Sequence, residues 1–425
     1  MGDHPSRRRA PGGNGQRGES QRVPVAVGPA RRTMSRADRI RAERARRRRR
    51  ITAGLATGLL VVVVVGAVFV GSKLWHMFGS QNDYTGNGKH DLVIQIHNGD
   101  STTAIGQMLQ ERGVVRTVRA FVEAAHGNSA ISSIQPGYYR LRTEIPAASA
   151  VERLANPDSR VGKLVIPEGR QLDDTTDVKT NAATPGIFTL ISRATCVELD
   201  GEKRCVAAND LRAAAGTTPP AVLEVPPWAM DSVTRMGSDH RRIEGLIAPG
   251  TFNVNPAASP QKILTSLISA SAAEYAKSGL ADTAKAMNLS PHDVLVVASL
   301  VQREATPPDF PKVARVIYNR LAEHRTLEFD STVNYPLDRR EVATTDADRA
   351  EPTAWNTYVS EGLPETAICS PGIDALKAAE HPEPGDWLYF VTIDARGTTL
   401  FTRDYQQHLA NIELAKHNGV LDSAR

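Results

Sequence analysis

Three cysteines and 5% aromatic residues in 425 positions are too few for a disulfide-built scaffold or a surface that stacks nucleic-acid bases. HExxH, Cys/His sets at zinc spacing, the P-loop and G-x-S-x-G are all missing. No metal or other cofactor is therefore expected. His240, His292, His324, His381 and His408 are scattered, each reading as a surface or core residue, and they give no basis for a Ser-His-Asp set. Charge is unevenly spread. Residues 1–50 hold 16 Arg and no Lys against Asp3, Glu19, Asp38 and Glu43, a net +12, and the whole chain is +4, so residues 51–425 carry −8. A folded part of that sign is not expected to bind nucleic acid.

Long apolar runs are also scarce, with one exception. Ile51 to Val70 is 20 residues without a charge, long enough as a helix for a roughly 30 Å hydrocarbon core. A cleavable signal peptide is the competing reading. The long basic segment ahead and the lack of a small-x-small site after Val70 argue against it. Arginines before the span, with only Lys73 just after it, put the N-terminus in the cytoplasm and the remainder outside the cell membrane. The arginine run Arg46 to Arg50 needs no nucleic acid to account for it. The expected organisation is a disordered Arg-rich tail (1–50, with Ser35 to Arg50 able to form a helix), a single transmembrane helix (51–71), a linker (72–91), a small mixed unit (92–165), a connection with an insertion (166–241) and an α+β domain (242–420).

Within the small unit, Leu92 to Ile96 alternates as a strand, Thr103–Arg112 and Thr117–Ala125 read as helices, and Gly137 to Leu141 as a return strand. Lys163 to Gly169 resembles the first strand and turn. Cys196 and Cys205 flank a segment containing Asp200-Gly201, a strong hairpin signal. A disulfide across that hairpin fits an extracytoplasmic position; two unrelated thiols are the alternative. Cys369 is left over and reads as a buried thiol.

The stretch around which the chain is organised is Ala298-Ser299-Leu300-Val301-Gln302-Arg303-Glu304-Ala305. Ser290 as N-cap, Pro291 at the first helical position and Asp293 as its capping-box partner start a helix. Val294 to Val301 leave almost no polar face, so the helix is core. Pro307 and Pro308 follow its end. Glu304 thus falls in the last turn, beside apolar neighbours and the negative end of the helix dipole, which both disfavour an ionised carboxylate. That suits a general acid; a surface glutamate just past a core helix is the plainer alternative. Asp309 is expected to cap a following helix. Polar loops come next: Phe329 to Tyr335, Trp355-Asn356-Thr357-Tyr358, Gly362-Leu363-Pro364 and Ser370-Pro371-Gly372. Trp387 to Val391 and Thr399 to Phe401 close the chain as a hairpin. One acid facing Asn, Thr, Tyr and Ser side chains suits a carbohydrate site. Asp330 is either the second carboxylate that ordinary glycosidases need or a structural turn residue.

These residues resemble the YceG-like endolytic murein transglycosylases from about 92 to 415. The likeness rests on Ala298-Ser299-Leu300-Val301 with Glu304, Asn319-Arg320-Leu321, Asp330-Ser331-Thr332-Val333, Asn356-Thr357-Tyr358, Gly362-Leu363-Pro364, Ser370-Pro371-Gly372, Ala375 to Ala379 and Leu388 to Val391. The resemblance implies an α+β catalytic domain preceded by a LysM-like subdomain and one membrane span. It implies cleavage of peptidoglycan glycan strands between N-acetylmuramic acid and N-acetylglucosamine, leaving 1,6-anhydro ends near the synthesis machinery. Peptidoglycan synthases and division or elongation proteins are then candidate partners. Glu304 matches the family's essential acid. Glu244, Ser299, Gln302, Asp330, Thr332, Asn356, Thr357 and Tyr358 are the expected substrate-binding residues. Three departures stand out: Gln302 replaces an acid found in many relatives, Gly250 replaces Asp in the E-G-x-x-x-P-D-T-Y loop at Glu244 to Phe252, and the cysteine-bearing insertion is atypical. A non-catalytic glycan-binding scaffold and a hydrolytic muramidase using Asp330 are the other readings.

Overall fold

The structure is a computed structural model that describes residues 58–71, 83–126, 128–129, 131, 134–177, 180–337, 339–340 and 344–420. The basic tail, residues 51–57 of the expected span and most of the linker lie outside the described residues. Residues 58–71 are helical (α1), and every one of them is exposed. Among the described residues no helix is long and apolar enough to cross a membrane. The remaining elements belong to a separate unit spanning Phe78–Arg425.

That unit begins with β1 (Asp91–Ile96), α2 (Thr102–Glu111), α3 (Val118–His126) and β2 (Gly137–Arg142). Period-two alternation in Leu92 to Ile96 buries Ile94 and Ile96 on one face. Ser101 accepts from the Ala104 amide to start α2. β1 and β2 pair antiparallel in register from Asp91 opposite Arg142 to Ile96 opposite Gly137. α4 (Ala147–Ala155) closes a small core around Leu109, Phe121, Leu141 and Leu154, and β3 (Arg160–Val161) extends the sheet beside β2.

A second, larger core starts at Leu164 and runs through to Ala379. β4 (Lys163–Ile166) leads into it, followed by β5 (Thr175–Asp177), β6 (Ala183–Thr184), α5 (Ile187–Ala194), β7 (Val197–Leu199) and β8 (Glu202–Arg204). α6 (Ala208–Thr217), α7 (Met230–Arg235) and β9 (Gly250–Asn253) come next, and β9 pairs antiparallel with β4. Residues 166–241, expected as a connection, therefore belong to the larger core: Phe188, Ile191, Leu211 and Leu223 are all at most 1% exposed. Helices of eight and ten residues among Thr, Pro and Ala are too short to show a clear helical period.

β7 and β8 form the expected hairpin. Asp200 (φ 52°) and Gly201 (φ 82°) make its turn, and Cys196 and Cys205 are bridged across its base. The turn docks on the small unit. The Asp91 amide donates to Asp200 Oδ1 (2.8 Å), the Asp200 amide donates to Asp91 Oδ2 (2.9 Å), and Arg140 Nη1 donates to the Glu198 carbonyl (3.0 Å).

α8 (Pro260–Ser278), α9 (Leu280–Ala286), α10 (Pro291–Glu304) and α11 (Phe310–Ala322) form the helical body. α10 is the central element, packing against α9, α11 and α14 (Ile373–Glu380). The Asp309 side chain does not cap α11, because a 3₁₀ turn at Pro307–Asp309 runs directly into that helix. Between α11 and α14 lie α12 (Asp330–Asn334), β10 (Arg339–Arg340), which joins β5 in parallel, and α13 (Asp346–Ala350). β11 (Tyr389–Thr392) and β12 (Thr399–Thr402) form the closing hairpin, and α15 (Tyr405–His417) follows.

Candidate active site

α10 brings the candidate acid to its place. Ser290 accepts from the Asp293 amide (3.0 Å), and Asp293 accepts in return from the Ser290 amide (3.3 Å), a complete capping box. Val294 to Val301 are buried without exception. The helix ends on Glu304, its C-cap being Ala305 in extended backbone. A helix clamped at its start and packed on all sides has little freedom at its last turn.

The Glu304 carboxyl faces the start of α12. Its pKa is raised chiefly by burial and further by the negative charge of Asp330, while the Ser331 hydroxyl and amide and the Arg303 charge pull the other way. Ser331 Oγ has no hydrogen-bond partner of ordinary geometry. The site thus presents one carboxyl that holds its proton to higher pH than an exposed glutamate does.

Asp330 is differently placed. Its Oδ1 accepts from Thr344 Oγ1 (2.6 Å), Tyr358 OH (2.8 Å) and Arg349 Nε (3.2 Å), and its Oδ2 accepts from Arg349 Nη2 (3.2 Å). Arg349 also stacks over the Tyr358 ring, 5.2 Å from its centroid. A carboxylate with both oxygens engaged is a fixed negative charge beside Glu304. Its charge and that hydrogen bond also push the Tyr358 hydroxyl up, after burial.

The remaining expected residues build the wall. Thr332 Oγ1 donates to the Phe329 carbonyl (2.6 Å), and Thr357 Oγ1 accepts from the Phe329 amide (3.0 Å). Asn356 Nδ2 donates to the Glu351 (2.7 Å) and Arg349 (3.0 Å) carbonyls, and its Oδ1 accepts from the Tyr358 amide (2.9 Å). Ser299 Oγ donates to the Val296 carbonyl (2.7 Å) and accepts from the Ile368 amide (3.1 Å). All four side chains are buried. Of these four residues, expected to touch substrate, the hydrogen-bonding groups named are used inside the protein. Gln302 and Tyr358 stay partly exposed, and Gln302 Oε1 accepts from the Gly372 amide (2.8 Å).

Glu244 is likewise engaged inside the protein. It is 3% exposed, and its Oε2 accepts from Tyr335 OH (2.7 Å) and the Leu172 amide (3.1 Å). Oε1 has no partner, and the carboxyl borders a cavity of about 30 Å³ shared with Gln171, Asp173 and Arg241. Burial pushes its pKa up to about 8. Tyr335 lies one turn beyond Ser331, its amide donating to the Ser331 carbonyl (3.1 Å). Glu244 therefore anchors the far end of α12. Gly245 beside it has φ +78°, and a Cβ there would lie 2.5 Å from Ala367 Cβ, so only glycine fits. Gly250 has φ +145° on β9 opposite Ile166, a backbone setting that explains glycine where related loops carry Asp.

The sequence reading missed Arg349, Ser331 and Tyr335 as site residues. Arg349 sits in a charged stretch where nothing distinguishes it, and the two hydroxyls gain meaning only from their facing partners. One test follows from Asp330. Its negative charge raises the Glu304 pKa, so Asp330→Asn lets Glu304 ionise at lower pH. The alkaline limb of the pH–rate profile is expected to move to lower pH, with a rate loss of roughly tenfold or more from the loosened Arg349–Tyr358 wall. A limb that stays in place would remove Asp330 from the electrostatics of the site.

Glu304, at the end of a rigid helix, presents one proton-holding carboxyl to Ser331, Asp330 and Tyr358. The sequence pattern of the YceG-like family matches residues 94–414, and the chain belongs to that family. It is 27% identical over 352 residues to the "Endolytic murein transglycosylase" of Bacillus subtilis strain 168, covering 82% of this chain and 89% of that one. A protein of the same name from Streptococcus pneumoniae is 25% identical over 342 residues, 77% of this chain but 58% of the longer relative. A YceG-like protein from Listeria monocytogenes, solved by crystallography, aligns with 76% of this chain and 99% of its own at 25% identity and a TM-score of 0.49.

Proposed function

We propose that the chain is an endolytic murein transglycosylase, a lyase in which Glu304 is the general acid and then the general base. In the first step Glu304 gives its proton to the glycosidic oxygen as the bond from C1 of N-acetylmuramic acid breaks. The resulting carboxylate takes the proton of the C6 hydroxyl, whose oxygen bonds to C1. The products are a 1,6-anhydro end and a free N-acetylglucosamine 4-hydroxyl, with no water consumed. The observation that carries this reading is the pairing of a proton-holding Glu304 with an Asp330 whose two oxygens are occupied. A hydrolase would need a second carboxylate free to attack C1 or activate water. One residue performing both proton transfers needs only a neighbour of fixed charge.

The strand–helix–helix–strand unit from β1 to β2 supports a LysM-like subdomain that holds glycan. The apolar α1, exposed along its described length, supports a single membrane anchor, with the cytoplasmic side marked by the arginines before it. Together with the disulfide, these features support a reading in which Glu304 works outside the cell membrane.

Full-length protein in detergent, incubated with uncrosslinked glycan strands, tests the reading by mass spectrometry of the chain ends. Anhydro ends support it. Reducing ends would overturn it in favour of hydrolysis, and intact strands retained on the protein would favour a glycan-binding scaffold.

A further inference from the structure

Four described arginines have a buried Nε without an acceptor: Arg142, Arg160, Arg170 and Arg303. The first two are otherwise engaged, and Arg142 Nε also lies 3.5 Å from Asp91 Oδ1 in an ion pair. Arg142 donates to the Lys89 carbonyl, and Arg160 donates to Gln135 Oε1, the Pro136 carbonyl and Asn253 Oδ1. The side chains of Arg170 and Arg303 make no hydrogen bond or ion pair among the described residues. By contrast, Arg212, Arg235, Arg320, Arg349 and Arg403 are each paired with an acid. A guanidinium whose Nε is cut off from water and left unpaired is costly unless another group completes it.

Both residues lie near Glu304: Arg303 adjoins it on α10, and Arg170 follows Gly169, which packs against Gln302 of the same helical turn. Arg303 immediately precedes Glu304, whose carboxyl feels its charge. Arg170 lies on the segment that pairs with Ser370, its carbonyl accepting from the Ser370 amide (2.8 Å). The same segment passes against Gln302: a Cβ on Gly169 would sit 3.6 Å from Gln302 Cγ, and Gln302 Oε1 accepts from the Gly372 amide. Glu168, two residues before Arg170, has its carboxyl against Gly372 at the start of α14 and forms no ion pair with either arginine among the described residues.

We propose that Arg303, aided by Arg170, is a specificity residue that binds a carboxylate carried on the lactyl branch of the muramyl sugar being cleaved. This inference rests on the glycan-cleaving reading of Glu304. A planar guanidinium fork matches a carboxylate in a two-bond geometry that neutral sugar hydroxyls do not reproduce. The lactyl branch leaves the muramyl ring two carbons from the C1 that Glu304 acts on, so a residue adjoining Glu304 is within the branch's neighbourhood. The carboxylate has two sources: the acidic groups of the attached peptide, or the lactyl acid itself on strands stripped of peptide.

The test uses the full-length enzyme, wild type and Arg303→Gln, on three substrates: peptide-bearing strands, strands stripped by an amidase, and peptide-bearing strands with their carboxyls converted to amides. With peptide-bearing strands, Arg303→Gln is expected to raise KM roughly 10- to 100-fold with kcat within about threefold of wild type. Arg303→Lys is expected to recover part of that loss. On amidated strands the two enzymes should be alike. On peptide-bearing strands the lactyl carboxyl is amide-linked, so an Arg303 effect there reports the peptide's carboxylates, and an effect that persists on stripped strands shows that the freed lactyl acid is bound as well. An unchanged KM with a lower kcat and a shifted alkaline limb would overturn the proposal, since Arg303 would then act only on the acidity of Glu304. An equal penalty on amidated strands would also overturn it. If wild type yields no anhydro ends on any strand, the underlying reading of Glu304 falls first.

Discussion

Replacing Glu304 with Gln is expected to cut anhydro-end formation by roughly 10²- to 10⁴-fold, the usual weight of a positioned proton donor. The change is nearly isosteric, so the fold should be retained. α10 is held by its capping box and by eight consecutive buried residues from Val294 to Val301, none of which depends on the carboxyl. Thermal unfolding should therefore shift by no more than about 2 °C. The pH profile carries a second signature. Burial and the Asp330 charge raise the Glu304 pKa, so the protonated, competent form survives to higher pH than an exposed glutamate would. Activity should decline as pH rises through that pKa. The residual activity of Glu304→Gln should lack this limb. A variant with near wild-type turnover would remove Glu304 from the chemistry.

Glu244 is expected to give the largest effect on stability. Its carboxyl is pushed up to about 8 in the folded chain against 4.5 for an ordinary glutamate. The folded state therefore favours the protonated form. That contribution is fully present below about pH 4.5 and is lost as pH rises, levelling off above about 8. Between those limits the slope approaches about 1.4 kcal/mol per pH unit. The groups facing the carboxyl are Tyr335, the Leu172 amide, Arg241, and Asp173, whose charge is shared with His240 and Arg212. Glu244→Gln keeps an acceptor for Tyr335 and Leu172 and cannot ionise, so its stability should be nearly flat over the same range. Glu244→Ala strands both donors in a buried site and should cost about 2–5 kcal/mol at pH 7. Urea unfolding of the full chain in detergent at several pH values checks all three. A slope unchanged in Glu244→Gln would assign the pH dependence to another group.

Much of the architecture could be read from the chain because its signals are local. Ser290-Pro291 with Asp293 announces α10, the alternation in Leu92 to Ile96 announces β1, and Asp200-Gly201 announces the hairpin. Glu304 was legible for the same reason: it follows an apolar helix directly. Side chains whose meaning lies across the fold were not legible. Glu244 reads as a loop acid and is buried only because Leu172 and Tyr335 close over it. Thr332 and Thr357, 25 residues apart, look like sugar ligands until their hydroxyls are seen 2.9 Å from each other. Asp330 looks like a free carboxylate until Arg349 arrives from α13. Residues 166–241 supply core through short helices whose partners, such as α8 for α6, lie tens of positions away, beyond the reach of a local sequence window.

The reciprocal amide bonds between Asp91 and Asp200 tie the cystine-closed hairpin of the larger core to the first strand of the small unit. A brace of this kind turns two lobes into a caliper with a set opening. If the small lobe grips a sugar chain, the interval between grip and Glu304 is a length written into the protein, and each cut falls at a constant count of sugars from the point of capture.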